Sequence, residues 1–149
     1  MVDAMNALGI GATEQKQIFD IIASVLHLTS VRFKTDKGAA FGDNAASVED
    51  PALMQTVAEL LEVDHKPLLG AMTSYKVLEQ RAVLSVEKAE KNRDAFAKAV
   101  HAQLFDWLVQ RINAAASSRS LDGTRFIGVL DIFGFEIFQT NSLLSLIHI

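Results

Sequence analysis

Cysteine is absent from the 149 residues, tyrosine and tryptophan occur once each, and proline occurs twice. Without cysteine there is no disulfide framework and no thiolate metal site, although that absence says little about compartment. Long hydrophobic runs are missing as well. No stretch approaches the about 20 apolar residues that span a bilayer, so no membrane span is expected. Nothing after Met1 has the basic-then-apolar form of a signal peptide, which leaves the cytoplasm as the expected location. Charge of one sign is scarce too. The net charge is −4 and half the residues are apolar, which excludes a basic nucleic-acid-binding stripe and a disordered chain alike. Nucleic acid is therefore not an expected partner. His27, His65, His101 and His148 are scattered without ligand spacing and read as solvated or helix-face residues. There are no internal repeats, and the length suits one globular unit that buries roughly two-thirds of its unfolded surface.

What is present is mostly helical patterning. Thr13 is a candidate N-cap, and Ile18, Ile21, Ile22, Val25 and Leu26 follow at helical spacing to about Leu28. Val31 to Phe33 reads as a short strand. Lys34 to Glu49, with Gly38, Gly42, Asp43, Asn44 and Ser47, reads as an exposed insertion without a regular apolar period. Asp50-Pro51 is a cap followed by a proline in the first helical position, opening a helix with Leu53, Val57, Leu60 and Leu61 inward. Pro67 opens another short helix with Leu68, Leu69 and Met72 buried. The longest helix is predicted over 85–113, capped by Ser85, with Glu87 and Glu90 where the helix dipole favours negative charge. Ala89, Phe96, Val100, Leu104, Trp107, Leu108 and Ile112 form its expected buried stripe. Lys91, Asp94, Lys98 and Gln110 form the solvated face, and Ala114 to Ser118 is expected to fray.

The run Phe126 to Glu136 carries the chemistry. Phe126, Ile127, Val129 and Leu130 fit a strand covered on both faces, and Asp131 emerges where that strand ends. Ligands of open α/β sheets bind beyond the carboxyl ends of the strands, so Asp131 there can reach a Mg²⁺ shell. Gly134 lets the backbone approach closely, and its N–H can donate to a phosphate oxygen only while that oxygen is present. An apolar strand ending in Asp is also an ordinary turn between strand and helix. The spacing Asp131-x-x-Gly134 is shared with GTPase and kinesin second switches, whereas Phe135 and Glu136 lean elsewhere. A kinase D-F-G segment fits less well: Ile132 separates Asp131 from Phe133, and no H-R-D loop or V-A-I-K strand occurs.

The wider string resembles the myosin motor domain. It runs from Arg93-Asp94-Ala95-Phe96-Ala97-Lys98 through Leu104-Phe105-Asp106-Trp107-Leu108-Val109 and Arg111-Ile112-Asn113 to Asp131-Ile132-Phe133-Gly134-Phe135-Glu136 and Asn141-Ser142. Earlier pieces follow the same family order: Glu14-Gln15-Lys16-x-Ile18-Phe19, Leu26-His27-Leu28 and Ala58-Glu59-Leu60-Leu61-x-Val63, although Thr29-Ser30 stands where members commonly have Gly-Asn. The resemblance implies a mainly α fold with a few short strands, a fragment of the α/β P-loop NTPase-type motor domain. Residues 1–142 would be part of that domain, with the switch strand and loop at 125–137. It also implies an actin-based, ATP-driven cytoskeletal motor, with ATP and Mg²⁺ as cofactors and actin and the rest of the heavy chain as partners. Asp131, Gly134 and Glu136 would then be catalytic. Asp131, acting on Mg²⁺ through its waters, would bind the nucleotide with Gly134 and Phe135, and Glu136 would pair with an Arg of the first switch.

That Arg is not in this sequence, nor is any G-x-x-x-x-G-K-[ST] loop; Gly9 and Gly11 are too close together and no Lys follows. These residues alone are therefore expected to show no ATPase activity and marginal stability. Tyr75 to Val83 resembles by position the surface loop through which myosins touch actin, with Tyr75, Glu79 and Arg81 as candidate contacts. An exposed hairpin with an incidental Glu is the competing reading. Residues 143–149 depart from the family, where a relay helix opening Phe-Glu-Gln-Leu would follow the capping Ser142, and they are expected to be a truncation or assembly artefact. The alternative to a motor fragment is a short, non-catalytic interaction module that keeps the fold.

Overall fold

Asp50 shows how directly the sequence writes one of the helices. In the computed structural model, which describes residues 1–36, 45–77, 80–117 and 128, its Oδ1 accepts from the Ala52 and Leu53 N–H groups at 3.0 and 3.2 Å. Pro51 occupies the first helical position, where a missing N–H costs nothing. In chain order the elements are α1 (Val2–Ala7), α2 (Ala12–Ser30), β1 (Phe33–Asp36), β2 (Ala45–Val48), α3 (Pro51–Leu60), α4 (His65–Thr73), β3 (Ser74–Val77), β4 (Gln80–Val83) and α5 (Val86–Ser117). The fold is mainly helical with a few short strands, as the patterning implies.

The start of α2 corrects the expected Thr13 cap. Gly11 is the cap residue, and its N–H donates to Glu14 Oε2 at 3.0 Å while its carbonyl accepts from Gln15. Glu14 thus reaches back to the helix start from the third helical position, a role in which a carboxylate also meets the positive end of the dipole. Gly9 closes α1 in the left-handed conformation, at φ +70. The Ile10 N–H reaches the Met5 carbonyl and the Gly9 N–H reaches Asn6, the paired bonds of a Schellman turn. The end of α3 repeats the pattern, Val63 onto Ala58 and Glu62 onto Glu59, but here Glu62 holds the left-handed position at φ 54.

The segment read as an exposed insertion is ordered at both ends. Phe33 pairs with Val48 and Asp36 with Ala45 in an antiparallel ribbon, and Ala45, Ala46 and Val48 are buried. The strand therefore starts at Phe33 rather than Val31, which is the extended cap of α2. Burial of successive residues hides the period-two signal. The Ala46 N–H donates to Leu84, so β2 is covered from a second side by the segment entering α5.

The main core gathers Leu28, Phe33, Val48, Met54, Val57 and Met72 with Ala89 and Ala97 of α5. A smaller cluster joins Ile10 and Ile18 to Leu104 further along the same helix. At 32 residues α5 extends about 48 Å and serves both clusters. It runs to Ser117 without the expected fraying from Ala114. Its buried line also differs from the predicted stripe: Ala89, Arg93, Ala97 and Leu104 are buried, Phe96, Val100 and Leu108 are half-buried, and Trp107 and Ile112 are exposed. Small alanines let the neighbouring elements approach closely, which rotates the core-facing line away from the aromatic one. No helix among the described residues is long and apolar enough to cross a membrane.

Candidate functional site

The ribbon that precedes α5 contains two of the expected partner-contact residues. Tyr75 pairs with Ala82, and Arg81 lies opposite Lys76, one register position further along. The Tyr75 ring is half exposed at 47%. Its base is anchored, because Leu84 donates its N–H to Thr73 while accepting from Ala46, so both ribbons share one connecting strand segment. A rigid base beneath an exposed Tyr suits a contact surface, since the ring offers apolar area and its hydroxyl a hydrogen bond. Glu79 lies outside the described residues, as do Asp131, Gly134, Phe135 and Glu136.

A second feature is the join between the chain's start and the far part of α5. Arg111 donates to the Gly9 carbonyl at 3.0 Å and to both carboxylate oxygens of Glu14 at 3.4 Å. The guanidinium, and after it the Gly11 N–H, holds the Glu14 carboxyl below the ordinary carboxylate value. Beside this join α2, the end of α3 and α5 enclose an open groove of about 680 Å³, floored by Ile18, Ile21, Leu61, Phe96 and Val100 and bordered by Trp107.

Arg93 is the residue that sequence patterning misses. It is 7% exposed, donates from Nη1 to the Val31 carbonyl at 2.5 Å, and grips Asp94 through Nε and Nη2 at 2.8 and 2.7 Å. The available signal is its spacing, four residues after Ala89 and four before Ala97, on the line that proves to be buried. Among the histidines, His27 and His101 are exposed as expected. His65 is half-buried with its Nε2 enclosed and without a hydrogen-bond partner, and His148 lies outside the described residues. No group of three or more metal-ligating side chains occurs among the described residues.

Comparison with known proteins agrees along the whole described length. The model of the family "Myosin head (motor domain)" matches residues 1–147. Myosin-1 of Yarrowia lipolytica is 36% identical over 149 aligned residues, covering 93% of this chain and 12% of that protein. Myosin-14 of Arabidopsis thaliana is 38% identical, covering 93% of this chain and 9% of its own length. Unconventional myosin-IXAa of Danio rerio is 37% identical, with 93% and 6% covered. The chain thus spans only a small part of the curated relatives it matches. With a family match over nearly every residue and relatives above a third identical, the chain belongs to the myosin head (motor domain) family.

Proposed function

We propose that this chain is part of an actin-based, ATP-driven cytoskeletal motor, and that its contribution is the nucleotide-sensing second switch together with part of the actin-binding face. The family match over residues 1–147 carries the reading. In the complete motor Asp131 would hold the Mg²⁺ through its water shell, Gly134 would offer its backbone N–H to the γ-phosphate, Phe135 would join them in binding the nucleotide, and Glu136 would pair with a first-switch Arg. A backbone donor that engages only while the γ-phosphate is bound would make this loop the sensor of hydrolysis for the rest of the head. ATP and Mg²⁺ are the cofactors, the remainder of the heavy chain supplies the phosphate loop, and the actin cytoskeleton is where the protein works. Tyr75, Glu79 and Arg81 contribute to the filament contact. The half-exposed Tyr75 on an anchored ribbon supports that assignment.

The test is actin-activated Mg-ATPase of the chain extended by the sequence that flanks it in its gene. Turnover should be present in the extended protein, absent from the 149 residues alone, and abolished by Asp131→Ala. Turnover that survives Asp131→Ala would overturn the switch assignment. For the actin face, Tyr75→Ala in the extended protein should weaken cosedimentation with filaments in the absence of nucleotide while leaving basal ATPase unchanged. Unaltered cosedimentation would remove Tyr75 from the interface.

A further inference from the structure

The chain leaves α4 without a turn. Thr73 ends the helix, and Ser74, at φ −147 and ψ 161, is already extended and begins β3. The left-handed turn that commonly folds backbone N–H groups over the last helical carbonyls is therefore missing here. Those carbonyls find donors elsewhere. The Ser74 N–H and hydroxyl both donate to the Gly70 carbonyl, the hydroxyl at 2.7 Å. Ala71 and Thr73 are served from far along the chain. Asn92 of α5 donates from Nδ2 to the Ala71 carbonyl at 2.6 Å, and the Leu84 N–H donates to the Thr73 carbonyl at 2.8 Å. A carbonyl only accepts, so the nitrogen of the Asn92 amide is the atom that faces it. Tyr75 stands two residues beyond Thr73. The two distant tethers thus fix the direction in which its ribbon departs, and both come from α5 or from the segment that enters it.

Of these two tethers, Asn92 is the one that a side chain supplies. We infer that Asn92 is a positioning residue for the partner-contact ribbon: its amide sets the angle at which β3 leaves α4, and so where the Tyr75 ring stands relative to α5. One bond beyond the covalent chain leaves a pivot; a second, two residues away, removes it. The Asn92 bond lies at the surface, where water replaces a lost donor at little cost, so its loss shows in direction rather than in stability. The role of Asn92 in binding rests on the filament reading of Tyr75, whereas the placement of the ring does not.

The single tyrosine provides the test. With isotopically labelled tyrosine the 149-residue chain reports the Tyr75 ring alone by NMR. Asn92→Ala removes the donor while gaining helix propensity, which offsets the lost bond, so the melting temperature should stay within a few degrees of the parent's. The Tyr75 signal should nevertheless shift or broaden. Asn92→Asp, which keeps the shape and loses the donor, should move it as well. In the chain extended by its flanking sequence, Asn92→Ala should weaken cosedimentation with filaments about threefold or more in the absence of nucleotide, and should add nothing in a Tyr75→Ala background. An unmoved Tyr75 signal overturns the inference. So does a signal that moves with Ala but not with Asp, which would place the effect in packing, or one that moves only with a large fall in melting temperature in both variants. Losses of affinity that simply add overturn the role in binding. If Tyr75→Ala itself leaves cosedimentation unaltered, the filament reading of Tyr75 fails while a moved ring signal still upholds its placement by Asn92.

Discussion

The guanidinium of Arg93 donates to the Val31 carbonyl at 2.5 Å across 62 positions of sequence, tying the long helix to the point where α2 ends and β1 begins. Val31 is 1% exposed, so its carbonyl cannot turn to water if the donor is removed. A buried acceptor left without its charged donor costs about 1.5–3 kcal/mol, and the Arg stem adds packing. Arg93→Ala should therefore lower stability by about 3 kcal/mol in denaturant unfolding. Arg93→Lys should recover only part of it, because an ammonium cannot grip Asp94 through two nitrogens while reaching Val31. A Lys variant as stable as the parent would show that the two-nitrogen grip on Asp94 Oδ1 contributes nothing.

Glu62 occupies the left-handed position of a Schellman turn at φ 54. A side chain there costs about 1 kcal/mol relative to glycine. Glu62→Gly is expected to raise the unfolding free energy of the 149-residue chain by about that amount, whereas Glu62→Ala should leave it nearly unchanged. Equal effects of the two substitutions would place the cost in the carboxylate rather than in the backbone.

The Glu14 carboxyl is held low first by Arg111 and then by the Gly11 N–H, and the smaller cost of burial opposes them. Because its folded-state pKa lies below the unfolded one, its contribution is complete above the ordinary value of 4.5 and disappears as the pH falls through the lowered value. Thermal midpoints of the parent and Glu14→Gln should differ above 4.5 and converge on acidification. A gap that stays constant with pH would mean that Glu14 acts only by its shape.

Asp50→Ala removes both side-chain bonds at the start of α3 and should cost about 1 kcal/mol. Asp50→Asn, which keeps an acceptor oxygen, should retain most of the stability. Chemical denaturation of the three proteins reads this directly.

Met54, fully buried, lies at the centre of the main core. Met54→Ala should destabilise by about 2–5 kcal/mol, depending on how far the walls collapse, while Leu26→Ala, at a position 65% exposed, should change stability by less than about 0.5 kcal/mol.

What the sequence determined by itself was local. Asp50-Pro51 wrote a helix start because cap and proline act within one turn, and the apolar spacing after it announced α3 and α4. Family membership was legible as well, because the D-I-F-G-F-E run and the strings before it are long and specific. Tertiary structure decided what depends on a neighbour brought from far along the chain. Whether Thr13 or Gly11 starts α2 turned on where Glu14 could reach, and Glu14 is also steadied by Arg111 from 97 positions away. The strand at 45–48 could not be read because a four-residue segment with three buried positions carries no alternation, and the one at 33–36 could not because only Phe33 of its four residues is buried. The buried line of α5 followed the close approach permitted by Ala89 and Ala97, and it left Trp107 and Ile112 exposed although their spacing marked them as core. Periodicity states that a helix has an apolar side; which side is covered is fixed only by the elements that pack on it.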